Sequence, residues 1–146
     1  MTLADGSFDP LHWGHIRYLI AAARLGRPLI VNIAPESAIR AKGREPFQTR
    51  HERALTVLAI GVVDDVRQLD LATLITMTRP KRLVKGADWR DKLPADVLAA
   101  CRQVGTEICY TYTQERTSTE RLTQLTIQTD RSRTALMILM RRVFGV

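Results

Sequence analysis

Apolar residues along this chain fall in two kinds of block, short continuous runs and longer stretches with an apolar side chain every third or fourth position. The runs predict strands at Thr2 to Ser7, Leu29 to Ala34, Val62 to Leu69, Arg82 to Lys85 and Glu107 to Tyr112. Leu29-Ile30-Val31-Asn32-Ile33-Ala34 is apolar almost throughout, as a parallel strand covered on both faces requires. Ile16, Leu19, Ile20 and Ala23 recur at helical spacing and predict a helix from His15 to Leu25, stopped by Gly26. Further helices are expected from about Gln48 to Ile60 with Leu55, Val57 and Leu58 inward, from Leu71 to Thr78 before Pro80, and from Ala95 to Val104. Pro35 to Phe47 is polar, holds Gly43 and Pro46, and reads as a loop.

Strand and helix alternate with short connections, which predicts an α/β fold. The expected architecture is a Rossmann-like parallel sheet of five strands with helices on both faces, a single domain over residues 1–125. Ligands of such sheets bind beyond the carboxyl ends of the strands, where the topology switches. The remainder, 126–146, is set apart. Arg131 to Val146 reads as a helix carrying Ala135-Leu136-Met137-Ile138-Leu139-Met140, expected to pack on its own domain or on a twin subunit, so a homodimer is the expected assembly. An amphipathic membrane contact is the alternative.

Composition narrows the partners. Of 22 basic residues eighteen are Arg and four Lys, and the net charge of +7 should attract nucleotides, phosphosugars or nucleic acid. The basic residues are scattered, and eight aromatics make a poor base-stacking surface, so nucleic acid is not the expected partner. Cys101 and Cys109 are too few and too isolated for a zinc cluster or a disulfide framework, and no metal-ligand set is read from the chain. No signal-peptide pattern and no apolar run of spanning length occur, so a cytoplasmic protein without membrane contact is expected.

The chemistry is concentrated in Gly6-Ser7-Phe8-Asp9-Pro10-Leu11-His12-Trp13-Gly14-His15, which contains G-x-F-D-x-x-H-x-G-H. Glycines at Gly6 and Gly14 permit close backbone approach and a tight turn, and the start of a helix offers N–H groups and positive dipole to an anion. Two imidazoles beside it can hydrogen-bond phosphate oxygens. His-x-x-His alone would be half a metal site or a surface turn; six specified positions together are far more restrictive. The segment resembles the cytidylyltransferase-like nucleotidylyltransferases, which transfer a nucleoside monophosphate from a triphosphate to a phosphorylated small molecule and release pyrophosphate.

Other segments extend the resemblance over residues 2 to 125. The loop Arg40-Ala41-Lys42-Gly43-Arg44-Glu45-Pro46 is similar to the lysine-glycine loop of the bacterial sugar-phosphate members, and implies that Lys42 closes over the triphosphate. In those members an arginine placed like Arg53 binds the phosphate side of the acceptor, whereas His51 is expected to be merely exposed. Leu83-Val84-Lys85-Gly86-Ala87-Asp88-Trp89 ends a strand in a glycine, a carboxylate and an indole. Asp88 can accept from ribose hydroxyls and Trp89 can line a sugar or base pocket; an N-cap and a half-buried tryptophan are the plainer alternatives. This piece looks like the fourth-strand end of heptose-1-phosphate adenylyltransferases and glycerol-3-phosphate cytidylyltransferases. Arg116-Thr117-Ser118-Thr119-Glu120-Arg121 resembles the second, Ser-Thr-rich signature, although Glu120 stands where a small or hydroxyl residue is usual.

The resemblance thus implies catalysis by His12, His15 and Lys42. The nucleotide would be bound by Gly6, Ser7, Phe8, Asp9, Gly14, Gly86, Asp88, Arg116, Ser118 and Thr119, and the acceptor by Asp9, Arg53 and Trp89. The expected substrates are a nucleoside triphosphate and a sugar or polyol phosphate, with Mg2+ as cofactor, held mainly by phosphates and water. CTP and ATP are not separated at this stage. Nicotinamide-mononucleotide or phosphopantetheine adenylyl transfer is an alternative chemistry, and a non-catalytic nucleotide or nucleic-acid binding module is the alternative of another class.

Overall fold

Leu3 and Ala4 are neighbours in the chain, both completely buried, yet they belong to different cores. Leu83 and Val84 repeat the division. Successive side chains of a strand point to opposite faces, so a strand apolar at every position must be covered twice. The computed structural model shows that double cover over residues 1–111, the residues it describes, which fall within one compact unit, Met1–Glu115. Arg116, Ser118, Thr119, Glu120, the expected boundary near residue 125 and the expected tail helix lie outside the described residues.

Five parallel strands, β1 (Thr2–Gly6), β2 (Leu29–Ile33), β3 (Asp65–Arg67), β4 (Arg82–Gly86) and β5 (Glu107–Thr111), stand in the order β3-β2-β1-β4-β5. Helices α1 (Trp13–Leu25) and α3 (Arg50–Leu58) cover one face, where Tyr18, Leu19, Ala22, Ala54 and Val57 meet Ala4, Val31, Ile33 and Val84. Helices α4 (Leu71–Thr78) and α5 (Ala95–Val104) cover the other, where Leu74, Ile75, Val97, Ala100 and Cys101 meet Leu3 and Leu83. Each leucine removed from water in this way contributes about 2 kcal/mol before entropy is counted. The chain leaves β1 for one side of the sheet and later returns to β4 on its other side. The loops after these two strands therefore diverge and open a crevice at their carboxyl ends. The five-stranded Rossmann-like α/β fold expected from the sequence is present.

Three local differences have physical causes. The expected strand from Val62 to Leu69 pairs only through Asp65–Arg67, because side chains occupy the backbone on either side. The Asp64 carboxylate accepts from Leu29 N–H at 2.6 Å, and Asn32 both accepts from Leu69 N–H at 3.1 Å and donates to its carbonyl at 3.2 Å. The segment read as a loop contains a short helix, α2 (Glu36–Arg40), that hangs on the buried Ile39, and Ala87–Trp89 form one 3-10 turn after β4. In α3 the inward seam is Arg53, Ala54 and Val57, whereas Leu55 and Leu58 are exposed. Arg53 sets this rotation, since its guanidinium must face inward to reach the loop carbonyls described below. No helix among the described residues is long and apolar enough to cross a membrane.

Several carboxylates do the work of capping. Glu36 accepts from Arg50 N–H, Glu52 from Thr49 N–H, Asp64 from Leu29 N–H and Asp70 from Thr73 N–H, and these backbone bonds hold all four acids below their ordinary values. Depressed folded-state values mean that the stabilisation is complete above the ordinary values, 3.8 for Asp and 4.5 for Glu, and is lost as pH falls through the folded ones. The thermal midpoint followed by circular dichroism is therefore expected to be level from about pH 7 to about pH 5 and to fall steadily below that; a level midpoint to about pH 3 would contradict this account.

Candidate active site

A helix that begins at a glycine-rich turn leaves several N–H groups without intrahelical partners, and here histidine side chains take them. Helix α1 starts at Trp13, two residues before the expected His15, because His12 is its N-cap. Nδ1 of His12 accepts from Gly14 N–H at 3.0 Å, and Nδ1 of His15 accepts from His12 N–H at 3.3 Å. This is a capping box in which imidazoles replace the usual serine and glutamate. The rings stack at 3.8 Å between centroids. A nitrogen that accepts carries no proton, so each neutral ring must carry its proton on Nε2. Both histidines thereby keep Nε2–H as their donor, and that of His12 is buried.

Both glycines of the first motif also have uses within the protein. Gly14 is buried and its N–H is given to His12, so the helix start does not offer that N–H to an anion. Gly6 is required first by Phe8, whose ring carbons would lie 3.0 Å from a Cβ there. Phe8 itself is a core residue in the left-handed region, φ 50°, with its ring edge-on to His15 at 5.0 Å between centroids. Its side chain supports the histidine and is not placed to meet a nucleotide.

Asp9 and Arg53, expected to bind substrate, are turned into the protein. Both are completely buried. The Asp9 carboxylate accepts from Arg44 Nη1 at 2.7 Å, Phe47 N–H at 2.8 Å and Gln48 N–H at 2.8 Å, and Arg44 Nη2 also donates to the Asp9 carbonyl. Arg53 donates through Nη1 to the carbonyls of Ser7 at 2.7 Å and Ala34 at 2.8 Å, and through Nε to Gln48 at 3.3 Å. Burial works against its charge, and Asp9 and Glu36 favour it. Neither residue presents its charge to the crevice. They join the loops after β1 and β2 to the start of α3.

Lys42 does reach the crevice. The turn that carries it closes through Lys42 N–H to Ile39 O and Gly43 N–H to Arg40 O, both 2.9 Å, with Gly43 at φ 82°. Nζ of Lys42 lies 3.4 Å from Ser7 Oγ. Lost solvation, then the charges of Lys85 and Arg44, hold its ammonium below the ordinary lysine value, against Asp88 and Asp5. Residues as far apart in the sequence as Asp5 and Asp88 thus share one electrostatic neighbourhood. On the far side of the crevice Asp88 is exposed, and its Oδ1 lies against the position that a Cβ on Gly86 would take. Gly86 is the residue that lets the Asp88 carboxylate fold back over the end of β4.

The sequence reading missed Lys85, Asp5 and Asn32. Lys85 is buried, pairs with Asp5 Oδ2 at 2.7 Å and lies 4.2 Å from the Trp89 ring centre. Asn32 donates to Asp5 Oδ1 at 2.9 Å. Beneath them, the buried Tyr18 hydroxyl donates to Val84 O at 2.6 Å and accepts from Asp5 N–H at 3.2 Å, and burial, then Asp5, push its pKa well up. A signal was available. Each of Asp5, Asn32 and Lys85 is the polar residue one place before the end of a buried strand. Such residues are costly there unless they pair with one another.

The model of the cytidylyltransferase-like family matches residues 3–139. This chain belongs to that family. It is 41% identical over 98 residues to the bifunctional protein HldE of Campylobacter jejuni, an alignment spanning 64% of this chain and 21% of that one. It is 36% identical over 105 residues to the D-beta-D-heptose 1-phosphate adenylyltransferase of Bordetella bronchiseptica, spanning 67% of this chain and 65% of that one. The chain therefore spans about a fifth of the length of the bifunctional relative. Among solved structures it is similar to the lipopolysaccharide core biosynthesis protein from Thermoplasma volcanium, with a TM-score of 0.65 and 26% identity over 80% of this chain and 97% of that one.

The polar row makes a prediction of its own. Lys85→Met leaves the Asp5 carboxylate at the sheet end without its cation and is expected to lower unfolding free energy by about 3 kcal/mol. Adding Asp5→Asn should return part of that loss, and urea denaturation of the two single variants and the double variant measures it. Additive losses would show that the pair is not coupled.

Proposed function

We propose that this chain is a nucleotidyltransferase that moves a nucleoside monophosphate from a triphosphate to a sugar phosphate. The observation that carries the reading is the fixed Nε2–H donor pair of His12 and His15 on the same sheet edge as Lys42 and Asp88. An oxygen of the acceptor phosphate attacks the alpha phosphorus in line, the new P–O bond forms, the bond to the beta-phosphate oxygen breaks, and pyrophosphate leaves. No covalent enzyme intermediate is involved. The protein positions the two phosphates and stabilises charge that spreads over the equatorial oxygens.

In this mechanism His12 and His15 donate from Nε2 to the alpha and beta phosphates, and the Lys42 ammonium follows the charge moving to the leaving group. The Ser7 hydroxyl adds a further donor beside Lys42. Asp88 accepts from the ribose and Trp89 lines the pocket above Lys85. Arg116, Ser118 and Thr119 are assigned to the pyrophosphate end on the strength of the second signature alone. Mg2+ would be held by phosphate oxygens and water, and the exposed Asp88 carboxylate could accept from that water. When bound, the ion would offset negative charge on the phosphates. One relative is named for adenylyl transfer to heptose 1-phosphate, which makes ATP with that sugar phosphate the first pair to assay.

The capping role of the histidines shapes the test. Alanine at both positions would remove the cap as well as the donors, at about 1 kcal/mol of helix stability. His12→Asn and His15→Gln keep a cap acceptor at each position and remove only the imidazole. The double variant is expected to keep the thermal midpoint within a few degrees and to lose at least about 1000-fold in pyrophosphate release, the loss of two transition-state donors. Retention of more than a tenth of the activity would remove the histidines from the mechanism.

A further inference from the structure

We propose that the buried Asp9–Arg44 pair is a latch that sets where Lys42 stands, so that Asp9 and Arg44 are positioning residues although neither meets substrate. The proposal rests on the reading of Lys42 as a phosphate-binding group.

The loop that carries Lys42 is held at two points. Upstream, Ile39 is completely buried and anchors α2. Downstream, Arg44, Phe47 and Gln48 all bind the one carboxylate of Asp9. Only the short turn between these anchors projects, and Lys42 is at its tip. Only Gly43 stands between Lys42 and Arg44, so a shift of the arginine backbone is passed to the lysine. The other end of the contact is held by the same motif: Lys42 Nζ meets the Oγ of Ser7, two residues before Asp9. Arg53 fixes Ser7 in turn through its carbonyl. Donor and target therefore belong to one braced unit whose keystone is Asp9.

The chemistry of the pair suits a latch better than a ligand site. The Arg44 side chain is 14% exposed and Asp9 is 0% exposed, and the guanidinium uses Nη1 on the carboxylate and on Glu45 O while Nη2 takes the Asp9 carbonyl. This is a planar fork reading a carboxylate and its own main chain together, which an ammonium cannot reproduce. If Arg44 is removed, Asp9 keeps two backbone N–H donors, so loss of the latch need not unfold the protein. The groups facing Lys42 are Ser7 on the motif loop, Lys85, Asp5 and Asp88 from the neighbouring strand ends, and Arg44 on its own loop. Lys42 is exposed on this turn, so what a lifted loop would change is the distance of its ammonium from Lys85 at the end of β4.

The test uses the full chain as wild type, Arg44→Ala, Arg44→Lys and Asp9→Asn. Lys42 labelling by acetic anhydride is followed against pH by peptide mass spectrometry, with Lys81 and Lys92 as internal controls. Pyrophosphate release is measured with ATP or CTP, magnesium, and heptose 1-phosphate or glycerol 3-phosphate. The expected result is a rise of the Lys42 labelling midpoint toward that of the control lysines in all three variants, with the controls unmoved. Arg44→Lys and Asp9→Asn keep a cation at position 44, so a shift in them reports release of the loop and not loss of charge. The kcat is expected to fall by about 10- to 100-fold with KM for the triphosphate changed less than about threefold, and lysine at position 44 should not restore it. A labelling midpoint that moves only in Arg44→Ala, or full kcat in Arg44→Lys, overturns the latch. If Asp9→Asn does not fold, the arginine variants decide alone. Wild type inactive on every substrate pair overturns the transfer reading, while the labelling result, which needs no turnover, still decides the latch.

Discussion

A parallel sheet buried on both faces has no water at its strand ends unless polar side chains bring hydrogen-bonding capacity there, and the row Lys85–Asp5–Asn32 meets that constraint. It crosses β4, β1 and β2 through contacts of 2.7 and 2.9 Å and continues to the Leu69 backbone. The row ties together the three central strands at the edge where the crevice opens. It also sets the charge of the crevice floor, since Lys85 stands under Trp89 and acts on Lys42. Truncating one member strands the others in a poorly solvated place, so structure and site electrostatics share the same residues.

The same economy recurs in the loops. His12 and His15 cap α1 with one nitrogen and keep the other protonated as a donor, so the cap and the phosphate chemistry proposed for them are two uses of one tautomer. Asp9 uses its carboxylate on the following loop and thereby leaves Lys42 at the tip of a braced turn. In both places backbone N–H groups meet buried side-chain acceptors, and Arg44 adds the charge that Asp9 needs. Mutations here combine effects on folding and on chemistry, and only substitutions that keep the hydrogen-bond geometry separate the two.

Much of this was legible in the chain. The alternation of apolar runs with helical spacing determined the parallel α/β fold, because only a doubly covered strand is apolar at every position; α4 and α5 appear with the expected limits. The ten residues from Gly6 to His15, with Lys42 and Gly86-Ala87-Asp88-Trp89, pointed to the family that the chain belongs to. Motifs of this kind specify residue types at spacings, and spacing within one strand-turn-helix unit is preserved on folding.

What only the tertiary structure decided is which of those residues face the crevice and which face the protein. Asp9, Arg53 and Phe8 carry the marks of a binding site in the sequence, yet each is turned inward to brace a loop. Lys85 reads as an ordinary strand-end lysine, and its partner Asp5 lies 80 residues away in a strand that becomes its neighbour only through the sheet order. Periodicity reports which side of one element is apolar. It carries no record of which distant carbonyl or carboxylate will satisfy a buried charge, because that is determined by the packing of elements that are remote in the chain.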